Sequence, residues 1–282
     1  MPAPVIVGTD GSGSAGQAVA WAAAEAVRWH RRLHIVHVAQ VWPYQVRRFA
    51  PAEEEERVSR AGRAVLAEAE ATVRDRHPYL RVTAALAVGP TVDALGTEAE
   101  DGLELVLGHR GRGGFTDLLL GSVSLRMVGH SSVPVVIVRD GGVQDGEVAV
   151  GCGLGGEDHD VLAHAFAAAS ARGVRLRLVH AWQAPAEAEP GPPADEERID
   201  DERRARLVAA CAPFRERFPL VEVATEVRAG HPVSVLAQRS RKAALLVIGT
   251  REHHRPAPWL GSVAHGVIHH AACPVAAVPR WK

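Results

Sequence analysis

The sequence predicts an α/β protein made of two tandem copies of one domain, each a five-stranded parallel sheet with helices on both faces. Three observations predict it. The chain has 282 residues, a length that favours about two domains, each able to bury a core without disulfides or metals. Landmarks of the first half recur in order in the second. Val7-Gly8-Thr9-Asp10 meets Val150-Gly151-Cys152-Gly153, and Val36-His37-Val38 meets Val179-His180-Ala181, both at an offset of 143 residues. Gly89-Pro90 meets Gly230-His231-Pro232 at 141, and Gly121-Ser122-Val123 and Pro134-Val135 meet Gly261-Ser262-Val263 and Pro274-Val275 at 140. An offset that drifts by three with the order kept indicates duplication of a whole domain with small loop deletions. Third, short apolar runs alternate with helical periodicity, which implies strands covered on both faces and joined by right-handed crossovers.

Within the first copy, Val5 to Gly8 reads as a strand. Ser14 to Leu33 follows as a helix, with Ala18, Ala22, Ala26 and Trp29 on one face and Glu25, Arg28 and Arg32 between. His34 to Val38 is the second strand. Ala52 to Arg76, rich in Ala, Glu and Arg, reads as a solvated amphipathic helix stopped by His77-Pro78. Arg81 to Val88 is a strand, Thr91 to Glu100 a helix, Leu103 to Leu107 a strand, Ser122 to His130 a helix and Val133 to Val138 the last strand. The boundary falls in the polar, glycine-rich stretch Arg139 to Gly146, giving domains 1–140 and 145–282. The second copy repeats the pattern, with a Pro-, Ala- and Glu-rich surface insertion from Ala184 to Ala194.

Composition excludes several classes. With 32 basic against 33 acidic residues there is no net pull toward nucleic acid or an anionic membrane. The three cysteines, Cys152, Cys211 and Cys273, form no CxxC pair, so neither a disulfide framework nor a thiolate zinc site is expected, and a reducing compartment fits. Met1-Pro2-Ala3-Pro4 lacks the basic n-region of a signal peptide, and no apolar run approaches membrane-spanning length. A cytoplasmic location is the expectation.

The chemistry concentrates between Gly108 and Ser122, from the end of a buried strand to the start of a helix, where open α/β sheets hold ligands. Gly108, Gly111 and Gly121 are expected to take positive φ and let backbone approach a ligand. Ser122 is a candidate helix cap, and the N–H groups of Val123 and Ser124 would face an anion, a polyphosphate being the natural occupant. Arg110 and Arg112 would add charge-assisted contacts, or stand as solvated side chains. Asp10, after the first strand, reads either as a turn aspartate before Gly-Ser or as an acceptor for a nucleoside. No GxxxxGK[ST] run is present, so this is not a P-loop NTPase.

Gly108-x-x-Gly111, nine residues, then Gly121-Ser122 resembles the ATP-binding signature of universal stress proteins. "LVLGHRGRGGFTDLLLGSVSLRMVGHSSVPVVIVR", the opening "VIVGTDGS", the strand "IVHV" and Val88-Gly89-Pro90 are similar to that family too. The resemblance covers both halves. It implies a Rossmann-like fold of the adenine-nucleotide α-hydrolase type, with the last strands of the two copies pairing as a pseudo-dimer, or a homodimer of whole chains. It further implies that Gly8, Thr9 and Asp10 border adenine and ribose and that Val38 touches the base. Leu107, Gly108, Gly111, Gly121, Ser122 and Val123 would hold the phosphates of ATP, with a divalent cation such as Mg2+ shared by the ligand.

The second copy departs from this pattern. Gly153 stands where Asp10 would be, Glu252 replaces Gly111, and the span from Gly249 to Gly261 is one step shorter and contains Arg255-Pro256-Ala257-Pro258. A degenerate nucleotide site is expected there. His265, His269 and Cys273 fall at i, i+4, i+8, a spacing that could ligate a metal, but their counterparts Leu125, Gly129 and Val133 point to packing. His253-His254 and His269-His270 read as solvated or packed, and His37 and His180 as packing. The expected function is a nucleotide-dependent stress-response regulator acting on an unknown protein partner. The alternatives are a nucleotide-free scaffold, or a slow ATPase drawing on Asp117, His109 or Glu104. No enzyme beyond that is expected.

Overall fold

The computed structural model describes residues 2–39, 52–111, 120–139, 141, 143, 146–156, 158–183, 193–250 and 260–280, with the side chains of 52–55 and 193–196 left aside. It divides into two compact units, Met1–Arg139 and Asp140–Lys282.

In the first unit, β1 (Val5–Gly8), α1 (Gly13–Arg28), β2 (Leu33–Ala39), α2 (Ala52–Arg76), β3 (Val82–Val88), α3 (Thr91–Ala99), β4 (Glu104–Gly108), α4 (Ser122–His130) and β5 (Val135–Val138) follow in sequence. The strands pair in parallel in the order β3-β2-β1-β4-β5. Because the chain winds one way from β1 to β3 and the other way from β4 to β5, the order reverses between β1 and β4. The crossovers leave these two strands in opposite directions, which opens a crevice at their carboxyl ends.

β1, β4 and β5 are buried along their whole length, as strands covered on both faces require. Small residues bring α1 close: Ala15, Ala18, Ala22 and Ala26 are at most 4 % exposed. Ser12 caps α1 by accepting the Ala15 N–H at 3.2 Å. The helix ends with His30 in the left-handed region at φ 52°, while Arg31 N–H bonds back to the Ala26 carbonyl at 2.8 Å, closing the last turn.

The second unit repeats the plan with β6 (Glu147–Gly151), α5 (His159–Arg172), β7 (Leu176–Trp182), α6 (Pro193–Arg217), β8 (Val223–Ala229), α7 (Pro232–Ser240), β9 (Ala243–Gly249), α8 (Ser262–His270) and β10 (Val275–Val278). Its order is β8-β7-β6-β9-β10, again parallel. The match reaches details. Gly173, 143 residues after His30, closes α5 in the same left-handed conformation, at φ 63°. Gly89 and Gly230 share φ values of 138° and 142° before α3 and α7. The core differs: Phe166 stacks on Phe214 and Phe218 at 5.4 and 6.0 Å, where the first unit has Ala23, Val73 and His77.

On α5, burial and the nearby Arg172 guanidinium push the His164 imidazole down to about 4 from 6.5, and its Nε2 is sealed from water. A histidine held neutral in the fold takes its proton more readily when unfolded. Its contribution is therefore complete above about pH 6.5 and disappears as pH falls toward 4. Urea unfolding should show the wild type losing roughly 2 kcal/mol more than His164→Leu between pH 7.5 and 4.5. Equal losses would remove His164 as the cause.

Candidate functional site

At the crevice between β1 and β4 lies a cavity of about 760 Å3. It is built by three short backbone devices and a helical wall. The first device follows β1. Gly11, at φ 76°, turns the chain, its N–H donating to Thr9 Oγ1 at 3.2 Å, and Ser12 N–H donates to Asp10 Oδ1 at 2.9 Å. Asp10 thus acts as a turn aspartate through one oxygen, while its other oxygen faces the Gly111 backbone: a Cβ on Gly111 would stand 2.7 Å from Oδ2.

The second device is the turn after β4. A Cβ on Gly108 would lie 2.6 to 2.8 Å from Ser14 Oγ, O and C. Ser14 Oγ accepts the Arg110 N–H at 3.3 Å and pairs with His109 Nδ1 at 3.1 Å. These contacts pin the turn to the start of α1.

The third device is the start of α4. Gly121 is its N-cap with φ −72° and ψ 146°, held by its N–H to the His109 carbonyl at 2.7 Å. The first N–H bonded within the helix is that of Leu125, to the Gly121 carbonyl at 3.1 Å. The backbone N–H groups of Ser122, Val123 and Ser124 precede it, which is the arrangement that attracts an anion. Ser124 is buried and its hydroxyl donates to the Gly108 carbonyl at 2.8 Å, so it joins the two glycine turns.

Two sequence expectations are corrected here. Gly108, Gly111 and Gly121 do not take positive φ. Glycine is required at Gly108 because a Cβ there would meet the Ser14 backbone, and at Gly111 a Cβ would displace the Asp10 carboxylate, questions of space rather than of dihedral angle. Ser122 is the first helical residue and makes no capping bond; the cap is Gly121, whose extended backbone any residue could adopt.

Gly8, Thr9, Asp10, Val38, Leu107, Gly108, Arg110, Gly111, Gly121, Ser122, Val123 and Ser124 all line this one cavity. Arg112 and Asp117 lie outside the described residues, as do Glu252, His253-His254, the Arg255 to Pro258 run and the insertion from 184 to 192. Glu104 is elsewhere: it begins β4, 1 % exposed and opposite Val5, four residues or about 13 Å along the strand from Gly108.

Sequence reasoning missed the wall supplied by α2, where Arg57, Val58, Ala61, Gly62 and Val65 face the cavity. The available signal was Gly62, the one glycine in that long helix. A Cβ there would stand 2.6 Å from Leu86 Cδ1 and 2.9 Å from His37 Cδ2. Thr91 and Leu95 of α3 close the other side. His37 lines the cavity as well and donates from Nδ1 to the Thr9 carbonyl at 2.7 Å. His180 repeats the bond to the Cys152 carbonyl at 2.9 Å, so this pair ties neighbouring strand ends together in addition to packing.

The corresponding cavity of the second unit holds about 330 Å3 and is lined by Cys152, Gly153, His180, Gly261, Ser262 and Arg280, among others. Here Gly261 does take positive φ, 77°. Burial first, and the Asp158 carboxylate second, push the Cys152 thiol well up. His265 and His269 rings pack at 4.6 Å and Cys273 is fully buried. Among the described residues no three His, Cys, Asp or Glu side chains group as a metal site, and no helix is long and apolar enough to cross a membrane.

Comparison with known proteins supplies context for this geometry. The family model described as the universal stress protein family matches residues 1–139 and 148–279. A universal stress protein of Mycobacterium tuberculosis is 34 % identical over 286 residues, covering 96 % of this chain and 95 % of its own. Another from Mycolicibacterium smegmatis is 31 % identical, covering 98 % and 97 %. Among solved structures, a universal stress protein from Archaeoglobus fulgidus superposes with a TM-score of 0.72 at 20 % identity, covering 100 % of this chain and 98 % of that one, a likeness of fold.

Proposed function

The chain belongs to the universal stress protein family, and from that premise we propose that its first unit binds ATP and that nucleotide occupancy governs the protein's contacts with a partner. The observation that carries this reading is the convergence at the β1/β4 crevice. Every described residue that the sequence assigned to the nucleotide lines the same cavity of about 760 Å3, a size suited to a small organic ligand.

The chemistry of the wall supports a nucleotide. One end offers backbone N–H groups at the start of α4 together with the Arg110 side chain, a setting for phosphates. The other end offers Val38, Ala39, Val58 and Val65, an apolar setting for a base. Asp10 stands between them and would accept from ribose hydroxyls. The glycine cradle passes the fit test: Cβ atoms at Gly108 and Gly111 would intrude on Ser14 and Asp10, the groups that shape the phosphate turn. A magnesium ion, when bound, would neutralise phosphate charge. The protein's own part is to bind and orient: among the described candidates for a base, Glu104 is remote from the cavity and His109 is turned to the Ser14 hydroxyl at 3.1 Å. A regulatory reading therefore fits better than hydrolysis.

The test is to purify the protein, release bound small molecules by heating and identify them by chromatography, with Asp10→Ala and Gly121→Glu beside the wild type. Intact ATP from the wild type, and at least about tenfold less from each variant, is the expected result. No nucleotide, together with no binding of added ATP and magnesium, would favour the nucleotide-free scaffold.

A further inference from the structure

The second unit differs from the first at the walls of its crevice, and in one direction. Three small residues that line the first cavity, Ala15, Ala39 and Gly62, have as counterparts along the repeat Asp158, Trp182 and Arg203. Each replacement engages a partner inside the unit.

At the phosphate end, Asp158 Oδ2 accepts the Gly153 N–H at 2.7 Å. A carboxylate therefore stands beside the position that lost its aspartate. Its other oxygen, Oδ1, takes the Arg280 guanidinium at 2.6 Å, with the two side chains only 10 % and 21 % exposed. That guanidinium lies over the turn that corresponds to Gly108: a Cβ on Gly249 would be 2.5 Å from Arg280 Nε and 2.8 Å from Nη2. At the base end, the Arg203 guanidinium stacks on the Trp182 indole at 4.1 Å, and the indole N–H donates to Asp200 at 2.8 Å. In the first unit both of the matching positions border open cavity.

We propose that the second unit is narrowed by its own side chains, the Asp158–Arg280 pair at the phosphate end and the Trp182–Arg203 stack at the base end, so that the space left, about 330 Å3 against about 760 Å3 in the first unit, does not take a nucleotide. The inference rests on reading the first cavity as a nucleotide site. Its consequence is a division of labour: the first unit responds to ligand, while the second keeps one shape whether ligand is present or not.

Cys152, which lines the second cavity at 8 % exposure, reports on the narrowing without reference to ATP binding elsewhere. The experiment is alkylation of the full-length native protein with iodoacetamide, each cysteine followed by mass spectrometry. Cys211 and Cys273, 1 % and 0 % exposed, serve as internal references. Arg280→Ala and, to keep the bulk of the stem, Arg280→Met should each speed modification of Cys152 at least about tenfold while leaving the references unchanged. Trp182→Ala should do the same. Because the Arg280 charge lowers the Cys152 pKa, its removal by electrostatics alone would slow the reaction, so acceleration reports access.

Unchanged Cys152 rates in all three variants would overturn the proposal, as would a parallel rise at all three cysteines, which would make these groups general stabilisers. Slowing of wild-type Cys152 alkylation by ATP and magnesium would overturn it too, by showing nucleotide entering this cavity. Failure of the first unit to bind ATP leaves the alkylation results readable, so the two readings fail separately.

Discussion

Gly108→Ala should lower ATP affinity of the first unit by about 100-fold, equivalent to roughly 2.7 kcal/mol. The added methyl would stand 2.7 and 2.8 Å from the backbone O and C of Ser14. A flexible side chain could swing aside, but a helix start cannot, so α1 must move away from the end of β4. That movement breaks the Ser14 contacts to His109 and Arg110 and widens the phosphate turn. Overpacking of this kind also costs about 1–3 kcal/mol of stability, which urea unfolding would read separately from titration. Gly13→Ala is the control, since nothing lies within 4 Å of a Cβ there. Unaltered affinity in Gly108→Ala would mean that the turn takes no part in binding.

A larger loss is expected from making the first unit resemble the second. Ala39→Trp and Gly62→Arg would install the indole and guanidinium that narrow the base end of the other crevice. Leu86→Val would accompany them, because a Cβ at Gly62 would meet Leu86 Cδ1 at 2.6 Å and the counterpart of Leu86 is Val227. In the triple variant ATP binding should fall by more than about 100-fold, beyond ordinary titration. Thermal unfolding without ligand should stay cooperative, as a folded second unit already accommodates the same indole–guanidinium stack. Retention of near wild-type affinity would show that the base does not sit against α2.

The fold was legible because its signals are local. The stop at Pro78 and the periodicity of the preceding segment give α2 as Ala52–Arg76, and the Gly-Ser start gives α4 as Ser122–His130, as observed. Strand starts were less legible. The last strand of the first unit begins at Val135, not Val133, because Val133 N–H bonds to the Ser131 hydroxyl and Pro134 has no N–H to give.

The site was half legible for a physical reason. The turn after β4 leaves no room for a Cβ at Gly108, so the glycine spacing exposes it. The α2 side of the cavity is walled by Val58, Ala61 and Val65, residues indistinguishable in sequence from the buried face of any amphipathic helix. The narrowing of the second unit was hidden for the same reason. Asp158, Trp182 and Arg203 acquire meaning only beside Ala15, Ala39 and Gly62, and Arg280 reaches Asp158 across 122 residues of chain.

Calorimetric titration of the full-length chain with ATP and magnesium tests the central claim most directly. One nucleotide per chain, abolished by Gly121→Glu, is the result this account predicts. Two equivalents, or one that survives Gly121→Glu, would contradict it.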